Sequence, residues 1–172
     1  CYLRLDKTNA GFNQRPEEFF EIGKARRLME GGELTLISIG GILNVVLRAA
    51  EKLRKIGIKC RVVSMHTLKP LDKEEIIDAV KNTGGILTIE EHTIEGGLGG
   101  AVAETCLDDR VIPLHFKRIG LRNRFSAIVG TQGYLRQQLG MDEVCIISTV
   151  QQLLTGNIKK STVGGFEDKK IL

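Results

Sequence analysis

The sequence predicts a three-layer αβα domain whose sheet is mostly parallel, holds about five strands and carries one antiparallel edge strand. Three observations predict it. Short apolar, β-branched runs alternate with longer stretches of helical period from Leu34 to Ile119. The connections between them carry helix-starting and helix-ending residues at the right offsets. A Gly-Gly pair, Gly31-Gly32, stands between the first two strand-like runs. With 172 residues, 42% of them hydrophobic, the chain can bury one sizeable core and leaves no room for a second full domain.

Residues 25 to 29 form the first run, and Glu30-Gly31-Gly32-Glu33 reads as a tight hairpin returning into LTLISI, Leu34 to Ile39. That hairpin supplies the antiparallel edge strand. Ile42, Val45, Val46, Ala49, Ala50, Leu53 and Ile56 then mark one helix face, with Gly57 placed to end it. CRVVSM, Cys60 to Met65, is the next strand, and Asp72 with Glu75 three residues on has capping-box spacing for a helix carrying Ile76, Ile77, Ala79 and Val80. Gly84 and Gly85 close it. ILTIE, Ile86 to Glu90, leads through a glycine-rich turn into a helix over Leu98 to Leu107, and Pro113 precedes a last strand from His115 to Ile119. Two helices follow, Leu135 to Leu139 and Asp142 to Leu154, broken at Gly140 and capped by Asp142. Strands and helices in this rhythm imply right-handed crossovers with helices on both faces. The tail from 155 to 172 is polar and poorly periodic, and is expected to be mobile or draped over a partner.

Charge and composition exclude several functions. The formal net charge is +4, with 25 basic and 21 acidic residues interspersed, and only 5% are aromatic. Neither a basic patch nor a stacking platform for nucleic acid follows. No apolar run is long enough to span a bilayer and no signal peptide is evident, so a cytoplasmic protein is expected. Cys1, Cys60, Cys106 and Cys145 are far apart without a CxxC pair, as expected of free thiols in a reducing compartment. The chain starts with Cys rather than Met, which implies that something upstream has been removed.

Ligands of open α/β sheets sit beyond the carboxyl ends of the parallel strands, which here means Gly40 to Asn44, His66 to Pro70, Glu90 to Gly96 and Gly120 to Gly133. The stretch EEHTIEGGLGG, Glu90 to Gly100, invites a phosphate-cradle reading. Its spacing departs from the dinucleotide fingerprint, because Val102 stands where Gly or Ala is needed, and no Gly-Lys-Ser/Thr makes a P-loop. Small residues that turn the chain sharply and bring the helix close to the sheet explain it better. Glu90, Glu91 and His92 could serve acid/base chemistry, but consecutive strand residues face opposite ways, so at most two can share a site. Capping the next helix, or pairing with a base such as Arg118, is the favoured role. His66 and His92 could meet at the strand ends, yet with His115 the chain has only three histidines and no evident third ligand, so no metal site is expected. No GxSxG elbow or activated cysteine is present.

Three phrases in order resemble the C-terminal domain of transketolase and its thiamine-diphosphate-dependent relatives. They are SIGGILNVVLRAAEKLRKIGIKCRVVSMHTLKPLD, GGILTIEEHTIEGGLGGAVAE and VGTQGYLRQQLGMD. A family phrase T-x-K-P-L-D is matched by Thr67, Lys69, Pro70, Leu71 and Asp72, and a phrase T-x-E-[DE]-H with following glycines by Thr88, Glu90, Glu91, His92, Gly96, Gly97 and Gly99. The similarity runs from Cys1 to about Leu154 and implies the same αβα fold.

The resemblance also implies a division of the chain. Residues 1 to 15 look like the last strand and linker of a preceding pyrimidine-binding domain, 16 to 154 like the C-terminal domain, and 155 to 172 are the tail. In CYLRLDK, Arg4 matches the first arginine of the family pattern, and Lys7 stands where a second arginine contacts substrate phosphate. Lysine keeps the charge and loses the bidentate fork. The Gly-Asp-Gly motif that holds magnesium and diphosphate is absent, and the activating glutamate would lie upstream. The implied roles are therefore no catalytic residue, no cofactor ligand and no metal ligand in this chain; Arg4 and Lys7 as phosphate contacts; and His66, Glu91 and His92 as strand-end candidates. Thiamine diphosphate and Mg2+ (or Ca2+) would bind the intact enzyme through upstream domains or a separate subunit, within a homo-oligomer, and the parent would move two-carbon ketol units between sugar phosphates. Deoxyxylulose phosphate synthase and the beta subunits of 2-oxo acid dehydrogenases share this domain, and EEH together with TLKPLD favours transketolase. The alternatives are a free-standing binding or regulatory module and one half of a split enzyme.

Overall fold

The computed structural model describes residues 1–2, 18–122 and 127–156. Arg4, Lys7 and all of the tail beyond Gly156 lie outside the described residues. Five strands are present among those described: β1 (Arg26–Met29), β2 (Thr35–Ile39), β3 (Arg61–Ser64), β4 (Gly85–Thr93) and β5 (His115–Leu121). The helices are α1 (Leu43–Lys55), α2 (Lys73–Asn82), α3 (Leu98–Asp108), α4 (Gln132–Gln138) and α5 (Glu143–Thr155). The sheet order is β1-β3-β2-β4-β5; β2 pairs in parallel with β3 and β4, β4 with β5, and β1 runs antiparallel along β3.

The antiparallel edge strand is therefore present, but the expected hairpin is not. β1 pairs with β3 and not with its sequence neighbour β2. The reason lies in β3, whose four residues are all buried, so it belongs inside the sheet. The chain leaving β1 passes beneath the amino end of β3 to reach β2. Gly31 lies so close to the Lys59 carbonyl oxygen that a Cβ there would overlap it. Glu33 N–H donates to Lys59 O at 3.2 Å, Lys59 N–H donates to Glu33 Oε2 at 3.0 Å, and Gly84 N–H donates to Gly32 O at 3.2 Å. Thus the Gly-Gly pair serves a close crossing and stitches the starts of β2, β3 and β4 together.

Alternation along the strands builds two cores. Leu36, Val62, Leu87 and Ile89 meet Val46 and Leu53 of α1 and Ile146, Val150 and Leu153 of α5 on one face. Ile37, Val63 and Ile86 meet Ile76 of α2 and Leu98 and Val102 of α3 on the other. Each such fully buried aliphatic side chain contributes about 1.5–3 kcal/mol.

Caps fall where the sequence puts them. Asp72 Oδ1 accepts from Glu75 N–H at 3.2 Å, and its Oδ2 accepts from Ala25 N–H at 2.7 Å. Asp142 accepts from Cys145 N–H at 3.0 Å. Gly57, with φ +88°, follows α1, and Gly156, with φ +68°, ends α5 in the left-handed conformation. α4 begins three residues before the expected Leu135, because the Thr131 hydroxyl caps it through Tyr134 N–H.

Candidate functional site

At the carboxyl edge, β2 and β4 lie side by side while their helices leave on opposite faces, α1 toward β3 and α3 toward β5. This topological switch point is the expected ligand position of such a sheet. EEHTIEGGLGG leaves β4 here.

Glu90 is buried to 1% exposure, and its carboxylate receives two backbone donors at the start of α3: Leu98 N–H to Oε2 at 2.7 Å and Gly99 N–H to Oε1 at 2.8 Å. The positive end of the helix dipole compensates the buried charge, an effect worth up to about 2 kcal/mol in partly buried geometries. The glycines are fitted to this carboxylate. A Cβ on Gly97 would overlap Glu90 Oε2 and stand 2.7 Å from Thr93 O. A Cβ on Gly99 would stand 2.6 Å from Arg118 Cδ and 2.7 Å from Thr88 Oγ1. The turn is small because the helix is pressed against the sheet and the Glu90 carboxylate fills what remains.

Glu91 points to the opposite face, as strand alternation requires. It receives a bidentate pair from Arg136, Nε to Oε1 at 2.8 Å and Nη2 to Oε2 at 2.9 Å, with Gln132 Nε2 at 3.2 Å. Arg136 is only 14% exposed, so this pair tethers α4 to the end of β4. His92 is exposed, and its Nδ1 lies 3.0 Å from the Thr93 carbonyl oxygen. Arg118, the base expected to pair with these carboxylates, donates instead to Ile94 O at 2.8 Å. The turn carbonyl reaches it first.

His66 lies just beyond β3, two strand positions from β4, with β2 between them. Its Nδ1 is 2.9 Å from Thr67 Oγ1, its ring packs edge-on to Phe20 at 5.3 Å between centroids, and its buried Nε2 has no hydrogen-bond partner. Arg26, held by Glu18 at 2.6 Å, lies over Phe20 at 4.4 Å. The segment leading into β1 thus covers the carboxyl end of β3. Glu91, His92 and His66 are not gathered into one constellation: one holds a helix, one faces solvent and one lies under Phe20.

Residues 23–146 match the family model described as transketolase, C-terminal domain. The chain belongs to the transketolase C-terminal domain family. It is 34% identical over 152 residues to the 6-deoxy-6-sulfo-D-fructose transketolase subunit of Clostridium sp. (strain MSTE9), covering 88% of this chain and 46% of that protein. It is 36% identical over 153 residues to a protein of Methanocaldococcus jannaschii described as a transketolase C-terminal section, covering 88% of this chain and 47% of that protein. The chain spans about half the length of these curated relatives, and 20% of the 1-deoxy-D-xylulose-5-phosphate synthase of Syntrophus aciditrophicus, to which it is 36% identical over 134 residues. Among solved structures, one described as a split gene transketolase, inactive beta4 tetramer, superposes with a TM-score of 0.74 at 34% identity, covering 83% of this chain and 46% of that one. A transketolase from Pichia stipitis shares the fold at 16% identity, with a TM-score of 0.60 over 78% of this chain and 18% of that one.

In this transketolase C-terminal domain the residues at the carboxyl edge do not fit the diphosphate cofactor that the family resemblance implies for the intact enzyme. The α3 amides are taken by Glu90, and among the described residues no three His, Cys, Asp or Glu side chains gather as metal ligands. A cavity of about 330 Å³ between α1, α4 and α5 is walled by Arg48, Lys52 and Arg136, but its charges are already matched. Glu143 pairs with Arg48 and, at 2.6 Å, with Lys52, which hold its carboxyl below the usual range. No helix is long and apolar enough to cross a membrane, among the described residues. Phe20 was marked by no sequence motif, and Gln132 and Arg136 lie within the phrase VGTQGYLRQQLGMD without being singled out in it as partners of Glu91.

Proposed function

We propose that this domain is the non-catalytic assembly part of a transketolase-like enzyme, and that the parent is split between two chains. The observation that carries it is the 34% identity to a transketolase subunit across 88% of this chain but only 46% of that relative. The domain proper would be residues 16 to 154, preceded by a remnant of a pyrimidine-binding domain at 1 to 15. Thiamine diphosphate and Mg2+ (or Ca2+) would be held by the preceding domain and the partner chain, with Arg4 and Lys7 as substrate-phosphate contacts, and the parent would transfer two-carbon units between sugar phosphates.

Assembly, with a homo-oligomer as the unit, is supported by apolar side chains left in solvent where α3 ends and β5 begins: Leu107 at 71% exposure, Ile112 at 81% and Leu114 at 80%. A cytoplasmic setting is supported by the free cysteines, with the buried Cys60 thiol pushed up to about 12 by desolvation. A deoxyxylulose phosphate synthase parent is a second reading, favoured by identities of 36% and 37% to two such enzymes.

The test is the size of the native protein, by blotting source cells with an antibody against this chain and identifying what co-purifies. A band about twice 19.0 kDa with a second, thiamine-binding chain is the expected result. A band several times heavier would replace the split parent with a fused one. A band at 19.0 kDa that purifies alone would overturn the reading and leave a free-standing binding module.

A further inference from the structure

The switch-point edge of this domain offers a helix N-terminus, a glycine-rich turn and a buried hydroxyl, which together are the makings of an anion site. Its anion is already there, and it is part of the chain. Both Glu90 oxygens are engaged by the Leu98 and Gly99 amides at 2.7 and 2.8 Å, at 1% exposure. Thr88, two residues earlier on the same strand face, is fully buried against Gly99, and its Oγ1 has no hydrogen-bond partner.

We propose that Glu90 is an internal occupant that closes this edge to phosphate-bearing ligands, so that its removal would turn the α3 N-terminus into a receptor for small oxyanions. Three features carry it. The carboxylate sits on the first two N–H groups of α3, the groups a phosphate would use. Even a Cβ on Gly97 would overlap Glu90 Oε2, so on that side of the turn an incoming anion has to displace Glu90 rather than join it. The Thr88 hydroxyl is buried against Gly99, whose amide holds Glu90, and is satisfied by nothing in the native arrangement, which leaves a further donor for an anion that replaces the carboxylate. This inference concerns the folded chain alone and does not rest on the activity proposed for its parent.

The experiment compares the full 172-residue chain with its Glu90→Ala variant at constant ionic strength, titrating sodium phosphate and sodium formate against chloride. The readouts are the amide resonances of Leu98 and Gly99 and the thermal midpoint. In the native chain both amides should ignore phosphate. In Glu90→Ala they should shift saturably, with the midpoint rising as the anion fills the vacated place. A native chain whose Leu98 and Gly99 amides respond as strongly as the variant's would overturn the proposal. So would a folded variant whose amides stay silent. Should Glu90→Ala fold only in phosphate or formate, that rescue supports it. If it folds in neither, Glu90→Gln carries the test: phosphate must stabilise this uncharged occupant more than the native chain, and equal stabilisation overturns the idea.

Discussion

At the scale of single residues, the glycines of the turn after β4 differ sharply in what they can tolerate. Gly97 has the Glu90 carboxylate and the Thr93 carbonyl against it, both fixed by their own hydrogen bonds or backbone. Gly100, one turn further, has nothing within 4 Å of a Cβ. Gly97→Ala should therefore cost about 1–3 kcal/mol, the usual penalty for forcing a methyl into a packed place. Gly100→Ala should be neutral or stabilising by up to about 1 kcal/mol, since alanine is the better helix former. Urea midpoints of the two variants check both numbers, and equal losses would show that the turn is not shaped around Glu90.

Among the elements, α4 is the one whose place depends on charge. Its seven residues include none that is buried, so little apolar packing anchors it. The Arg136–Glu91 pair and the Gln132 contact reach it from β4 instead. A double-mutant cycle of Glu91→Gln and Arg136→Gln should return a coupling of about 1 kcal/mol, the upper end for pairs that solvent can reach, because this one is partly shielded and bidentate. Hydrogen exchange should quicken over Gln132–Gln138 in either single variant while α5 keeps its protection. A uniform change across both helices would instead mean that α4 and α5 open as one unit. This tether also marks where reading the sequence stops. The Asp72 and Asp142 caps were legible, because each acts over a fixed spacing of three residues; capping was expected of Glu90, Glu91 and His92 together, and the eight residues from Glu90 to Leu98 did not single out Glu90. Glu91 with Arg136 joins residues 45 apart, and nothing in spacing selects one distant arginine over another. The Gly31-Gly32 pair misled for a related reason: glycine permits both a turn and a close crossing, and only the burial of all four β3 residues decides between them.

For the whole molecule, ion pairs fasten one helical layer to the sheet and join two helices of the other layer. Asp78 joins α2 to Arg61 of β3 at 2.5 Å and to Arg27 of β1 at 2.8 Å, while Glu143 joins α5 to α1 through Arg48 and Lys52. The hydrogen bond from Arg61 holds the Asp78 carboxyl below its ordinary range, and that from Arg48 does the same for Glu143. Both groups bind protons less readily folded than unfolded. Their stabilisation is thus complete above the ordinary carboxylate value of about 4 and drains away as pH falls through the lower folded values. Denaturant midpoints should hold steady from neutral pH to about 5 and drop below about 4. The double variant Asp78→Asn, Glu143→Gln should start lower and fall less steeply; a slope equal to the native one would remove these two groups from the acid transition. The crossing beneath β3 bears on how the chain comes together in time. Of the five strands described, β1 leaves the ribosome first, yet its partner is β3, made only after β2 and the whole of α1. No hairpin is available to hold it meanwhile, and pairing has to wait for a contact distant in sequence. The oldest strand of the sheet is then zipped on late, so the cover that Glu18 and Phe20 place over Arg26 and His66 closes only after the middle of this domain has formed.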